Sequence, residues 1–190
     1  MTAPFPTHKQ EEWRYADLDA LKPVWEQFAE PVTVTVAAGD SLEEVWLPVG
    51  DDVQLRRVRL ALGEGGRSRQ VIRSVLNGKA VGSYLGKVEV ARGAQQTDAE
   101  QSVKAMLLDR GATANCKPEL EIYADDVKCA HGASVGELDP MQLFYAQSRG
   151  LDPASARALL LEGFVMGLWD GASDPGGISD AAREALRRVV

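Results

Sequence analysis

A mainly β chain with helical ends is the fold class that this sequence predicts. Three observations carry the prediction. From residue 31 onward the chain holds many short runs of Val, Ile and Leu, separated by glycines and polar residues, with no long helical pattern between them. Few of these runs are joined by Asn-Gly or Asp-Gly, the usual hairpin signal, although Asn77-Gly78 is one candidate. Capping signals and helical spacing of apolar residues are confined to the two ends. Short strands with irregular, Gly-bearing connections suit a stacked coil, a β-helix or solenoid, about as well as a sandwich. Pattern alone leaves both open, because internal repetition is too weak to count as a repeat.

The elements divide the chain into a helical arm (1–30), a β core (31–137) and a small helical domain (138–190). In the arm, Thr7 and Gln10 can form a capping box, and Trp13, Leu18, Leu21 and Trp25 suggest one or two short amphipathic helices interrupted at Pro23. The core reads as strands at Val32 to Val36, Val45 to Val49, Val53 to Leu62, Val71 to Leu76, Lys87 to Val90, Leu120 to Tyr123 and Val127 to His131. In the last segment, Asp139-Pro140 and Asp152-Pro153 each put an acceptor side chain at the N-cap and a proline at the first helical position, and Gly150 sits where a left-handed cap belongs. Ala156, Leu159, Leu160 and Phe164 form one stripe. A third helix is expected from Ser179, with Ala182, Leu186 and Val189 at helical spacing, after a hinge at Asp174-Pro175-Gly176-Gly177. The Met and Leu residues of these helices read as packing.

Composition bounds the function. The 190 residues are 45% hydrophobic and 26% charged, with a formal charge of −7, which suits one compact core and a small appendage. No apolar run approaches the roughly 20 residues that a membrane span requires, and no cleavable leader is expected between Met1 and Glu30. A pI near 4.9 argues against nucleic-acid binding, which rests on clustered Lys and Arg. Cys116 and Cys129 cannot build a disulfide framework, so a reducing, cytoplasmic address is expected. Two His and two Cys are too few for a self-contained structural zinc site.

Two enzyme signatures fail on their mechanics. Gly132-Ala133-Ser134-Val135-Gly136 spells GxSxG, but a nucleophile elbow needs a later histidine and both His8 and His131 precede Ser134, so a turn is expected instead. Gly82 to Lys87 resembles a phosphate loop with one residue too few, and Val88 replaces its Ser/Thr. What remains is the segment from Ala124 to Gly132. If it is extended, Asp125, Val127, Cys129 and His131 share one face. The Cys129 and His131 α-carbons would then lie roughly 7 Å apart, and a metal at about 2.3 Å from sulfur and 2.0 Å from nitrogen is reachable by both. A soft thiolate favours Fe, Zn or Cu(I). One Cys-x-His supplies two ligands only, so the rest must come from an interface. The plainer readings stand beside this: a small buried thiol, a hydrogen-bonded imidazole, a solvated turn at Asp125 and Asp126, and a turn at Cys116.

The run Gly93 to Gln101, the run Lys117 to Gly132, Phe144-Tyr145 and Ser148-Arg149-Gly150 resemble the SufB/SufD family of iron-sulfur cluster assembly proteins over roughly Val71 to Phe164. Glu11 to Leu18 is similar to the start of the SufD branch. The resemblance implies a right-handed parallel β-helix core with a small helical domain after it, and a noncatalytic scaffold that pairs with a SufB-like chain. It implies docking of a SufC-like ATPase on the helical domain, where Leu159 and Phe164 are the expected contacts. It also implies a nascent iron-sulfur cluster assembled where two β-helices meet, with His131 as a ligand and Cys129 as the neighbouring thiol. ATPase motion would shear the paired cores and expose that site.

The chain is short for that family, and the stretch from Asp51 to Arg69 looks depleted of coils, with Glu64 to Ser68 as the expected scar. Fewer coils leave less lateral surface for a reduced flavin associated with such complexes, so the resemblance leaves flavin binding open. Two rivals remain: an interaction module that recruits the ATPase without touching metal, and a β-helix acyltransferase with His131 as general base, for which hexapeptide periodicity is nearly absent.

Overall fold

The computed structural model describes residues 4–14, 16–169 and 177–189. Nine strands, β1 (Val32–Val36), β2 (Ser41–Trp46), β3 (Val49–Gly50), β4 (Val53–Leu62), β5 (Arg67–Leu76), β6 (Val81–Val90), β7 (Asp98–Leu107), β8 (Thr113–Ile122) and β9 (Lys128–Glu137), form the core. One sheet has the order β1-β4-β6-β8, the other β2-β5-β7-β9, with β3 pairing beside β2 on β5, and every pairing is parallel. Apart from β2 and β3, which share a sheet, successive strands therefore alternate between the two sheets, and the chain winds as a β-solenoid of about four turns. This decides between the stacked coil and the sandwich. Parallel neighbours separated by a whole coil cannot be hairpins.

Inward residues of each coil stack on those of the next. Val36, Leu60, Leu62, Val88, Val90 and Ala99 fill one stretch of the axis, and Ile72, Tyr84 and Val103 another. Burying a Val or Leu side chain is worth about 1.5–3 kcal/mol, so these columns favour stacking of the coils. At the corners, backbone bonds repeat from coil to coil: Gly39 N–H to Glu64 O at 2.9 Å, Gly65 N–H to Gln95 O at 2.8 Å and Gln96 N–H to Asp126 O at 2.6 Å. Gly39, Gly65 and Gln96 all have positive φ. The Glu64-Gly65-Gly66 segment is thus one member of a stack of regular corners between ten-residue strands, and the corner geometry accounts for Gly65.

Several strand readings change. β7 was not expected at all, because Ala, Glu, Gln, Lys and Met are weak strand formers; its alternating burial is the signal that reveals it. β5, β6 and β8 begin earlier than their apolar runs, since Ser68, Gln70 and Ser83 are polar yet buried inside the coil. Gly82 to Lys87 is strand, not a loop, and Cys116 lies in β8 rather than in a turn. Pro118 is tolerated within β8 because that strand is the edge of its sheet. Asn77-Gly78 is a corner between strands of different sheets, not a hairpin. The GxSxG segment continues β9 instead of turning.

The arm folds as α1 (Leu18–Leu21) and α2 (Trp25–Phe28) with short 3-10 turns. Gln10 accepts from the Thr7 N–H at 2.8 Å, so half of the capping box is present, in a turn. Trp13 and Trp25 meet edge to face at 5.4 Å, and the Arg57 guanidinium lies 5.4 Å and 5.3 Å from their ring centroids while donating to the Ala29 carbonyl. Cation–π contact and Leu55 beneath the rings hold the arm on the outer face of β4.

After β9, α3 (Pro140–Ser148) and α4 (Pro153–Met166) start at the expected caps: Asp139 accepts from Met141 N–H at 2.8 Å, and Asp152 from Ala154 and Ser155 N–H at 3.0 and 3.1 Å. α5 (Ile178–Leu186) follows; the expected hinge at 174–176 lies outside the described residues. The buried stripe of α4 is Ala156, Leu161 and Val165, packed with Val71 and Val75 on the outer face of β5, rather than the stripe through Leu159.

Gly86 is constrained by close approach, since a Cβ there would run into the hydroxyl and ring of buried Tyr84. Gly86→Ala is expected to cost about 1–3 kcal/mol in urea denaturation. The cost should shrink in a Tyr84→Leu background; equal costs in both backgrounds would refute the contact.

Candidate metal-ligand pair at the open coil

β9 is the edge strand of its sheet, held by in-register pairing with β7 from Asp98↔Lys128 to Leu107↔Glu137. In β7, Ala99, Gln101, Val103 and Ala105 are buried toward the axis, whereas Asp98, Glu100 and Lys104 are exposed. Parallel partners share a face, so Cys129, opposite Ala99, and His131, opposite Gln101, both project to the axis side of the last coil. Among the described residues no further coil covers them. His131 is exposed, while Cys129 is half-buried against the axis cluster that contains Ala94 and Ala99. A shallow hollow of about 350 Å³ runs along the two strands, with Gln101, Val103, His131 and Ala133 among its lining residues.

The extended face begins later than the spacing suggested. Asp125 and Asp126 form a bend before β9 and do not join Cys129 and His131. Gln95 donates to Asp125 at 2.8 Å and accepts from the Asp126 N–H at 2.9 Å, so this pair shapes a stacked corner. The Gln95 bond holds the Asp125 carboxyl below its ordinary range.

Burial pushes the Cys129 thiol upward and Asp98 adds to the shift, while the Ala99 N–H and the Thr97 hydroxyl oppose it. Cys116, packed with Tyr84 and Val103, is pushed up to about 11 by burial. Neither thiol is ionised near neutrality without help, so metal capture by Cys129 must displace a proton. Among the described residues no group of three or more His, Cys, Asp or Glu side chains is placed to hold a metal. Cys129 and His131 thus offer two donors on one open face.

The helical segment carries a second surface. Leu159 is 54% exposed, whereas Phe164 is half-buried beneath the Arg73 guanidinium, 5.9 Å from its ring centroid. Met141, Phe144 and Tyr145 on α3 are 69, 66 and 60% exposed; Met141 and Leu159 thereby correct the reading of the Met and Leu residues of these helices as packing. An exposed apolar helix face of this kind is a candidate interaction surface. Composition hid it, because exposed and buried apolar residues look alike in sequence. Among the described residues no helix is long and apolar enough to cross a membrane.

A parallel β-solenoid with a Cys-x-His pair at its open end and a helical appendage defines a narrow class of protein. The family model described as "SUF system FeS cluster assembly, SufBD core domain" matches residues 53–164, and the chain belongs to that family. It is 36% identical over 131 residues to the iron-sulfur cluster assembly protein SufD of Escherichia coli, covering 68% of this chain and 31% of that protein. It is 47% identical over 102 residues to Protein ABCI7, chloroplastic, of Arabidopsis thaliana, covering 52% of this chain and 21% of that protein. A SufBD family protein of Synechocystis is 40% identical over 100 residues, 53% of this chain and 22% of its own. The chain spans about a third or less of the length of these relatives.

Raised thiol pKa values slow alkylation at a given pH, because only the thiolate reacts. Both cysteines should react with iodoacetamide more slowly than free cysteine at pH 8, Cys116 the more slowly, with rates still rising above pH 9. Mass-spectrometric pH profiles check this; a Cys116 plateau below pH 9 would contradict it.

Proposed function

We propose that the chain is a noncatalytic scaffold subunit in iron-sulfur cluster assembly, pairing with a SufB-like β-helix chain and docking a SufC-like ATPase on its helical segment. The observation that carries this reading is the placement of Cys129 and His131 side by side on the uncovered axis side of β9, within the segment matched by the family model. Two donors on an open coil are half of a tetrahedral set, and a second solenoid abutting this end can supply the rest. The nascent cluster is cargo. It is held by neutral His131 through one ring nitrogen and by Cys129 once its proton is lost. Both thiols are free, which fits a reducing compartment such as the cytoplasm. A flavin has no part in this reading.

His131 is already open in the single chain, so any gating of the site comes from the partner that covers it and from ATP-driven motion between the paired cores. Leu159 of α4 and Met141, Phe144 and Tyr145 of α3 form the proposed ATPase contact, whereas Phe164 is half-buried against Arg73 and supports the packing of α4 on the solenoid. This exposed face also favours a second reading, an interaction module that recruits the ATPase and contributes no metal ligand.

Coexpression with SufB-like and SufC-like partners separates the two. His131→Ala is expected to leave the complex intact while lowering its iron and sulfide content several-fold; an unchanged content would leave only the docking role. Leu159→Asp combined with Phe144→Asp is expected to release the ATPase in size-exclusion chromatography without lowering the melting temperature, since both residues are exposed. Retention of the ATPase by that variant would remove α3 and α4 from the contact.

A further inference from the structure

We propose that Gln101 is a positioning residue for His131, the last link of a directed hydrogen-bond chain that begins at Glu44 and holds the imidazole in one tautomer. The inference gives His131 the role assigned above and explains how the ring is oriented for it.

Register places four side chains in one column on the axis side of the sheet: Glu44 opposite Gln70, Gln70 opposite Gln101, and Gln101 opposite His131. Neighbouring strands lie about 4.8 Å apart, so the column spans roughly 14 Å. Gln70 and Gln101 are 0 and 1% exposed, inside a largely apolar core. Their burial demands partners, yet Gln70 Oε1, Gln101 Nε2 and Gln101 Oε1 have none among the described residues. Three orphaned amide atoms in successive coils are most simply satisfied by one another and by the next polar group down the column.

The direction of the chain is fixed at its far end. Glu44 is paired with Arg56, and its carboxylate can only accept. Gln70 accordingly presents its NH₂ and donates from Nε2 to Glu44 Oε2 at 2.7 Å, which leaves Oε1 as the free end. That oxygen can be satisfied by Gln101 only if Gln101 turns its own NH₂ toward it, leaving Gln101 Oε1 facing His131. An amide oxygen accepts, so the facing ring nitrogen must carry the proton. The other nitrogen then keeps its lone pair on the open side of the coil, as a metal ligand requires. A carboxylate three strands away thereby sets the polarity of the imidazole.

The chain has two histidines, so imidazole nitrogen spectra of the full-length ¹⁵N-labelled protein are simple, and loss of signal in His131→Ala assigns the resonances. With the ring neutral, the wild-type nitrogens should be widely split, as in a single tautomer. In Gln101→Leu, which removes the amide at similar volume, the splitting should collapse toward the average of two exchanging tautomers. Glu44→Gln should reduce it as well, because an amide at position 44 no longer enforces one direction, although residue 44 does not touch His131. Averaged nitrogens in the wild type would overturn the proposal. So would unchanged splitting in variants that keep the wild-type circular dichroism and melting temperature, a result that would mean Gln101 pairs with another buried group such as the Tyr84 hydroxyl, which also lacks a partner. If Gln101→Leu fails to fold, Glu44→Gln decides alone. Cluster content is not read in this experiment, so its failure leaves the His131→Ala coexpression result to judge the scaffold role separately.

Discussion

In-register parallel stacking is the constraint on which the rest of the molecule depends. Each coil hydrogen-bonds only to the coils beside it, so an inward side chain must be compatible with the one above and the one below. Apolar columns satisfy this by packing, as in the series from Leu62 to Val90. Polar columns satisfy it only by bonding along the axis, as Gln70 does to Glu44. The same rule orders the outer faces, where Arg59 meets Glu89 and Lys87 meets Glu121 at 2.7 Å on neighbouring coils. Those solvent-screened pairs contribute little to stability.

A stack has ends, and the end formed by β8 and β9 explains the character of the site. Residues that would be core in an inner coil are open there, so Val135 and Ile122 are 47 and 39% exposed and His131 stands free. Cys129 is sheltered because it lies nearer the Ala94 and Ala99 corner. A thiol that is protonated and partly covered, next to an imidazole that is open, makes a pair with unequal duties. In the proposed role, the sulfur is engaged only when a cation displaces its proton.

The helical segments use the outer faces of the solenoid in different ways. The arm is fixed by a cation clasped between Trp13 and Trp25, an arrangement that buries Arg57 against aromatic rings. On the opposite sheet, α4 covers Val71 and Val75 with one stripe and leaves Leu159 outward. Because α3 fully buries only Ala146, its Met141, Phe144 and Tyr145 form a surface rather than a core. The axis-side pair on β9 and the apolar helix face are distinct surfaces of one chain, which suits a subunit that positions others.

Local chemistry was fully readable where a single residue dictates a local bond. Asp139-Pro140 and Asp152-Pro153 started helices where they stand, and Val32–Val36 and Val53–Leu62 were strands over their whole length. The alternation that puts Cys129 and His131 on one face followed from extended geometry alone, since a period of two needs no tertiary information. What only the stacking decided was which residues count as interior. Gln70, Gln101 and Ser68 are buried although polar, Met141 and Phe144 are exposed although apolar, and β7 exists because β5 and β9 flank it rather than because its residues favour strands. A sequence states how each residue prefers to behave alone; the column it joins, and whether another coil lies beneath it, are set by contacts some thirty residues away.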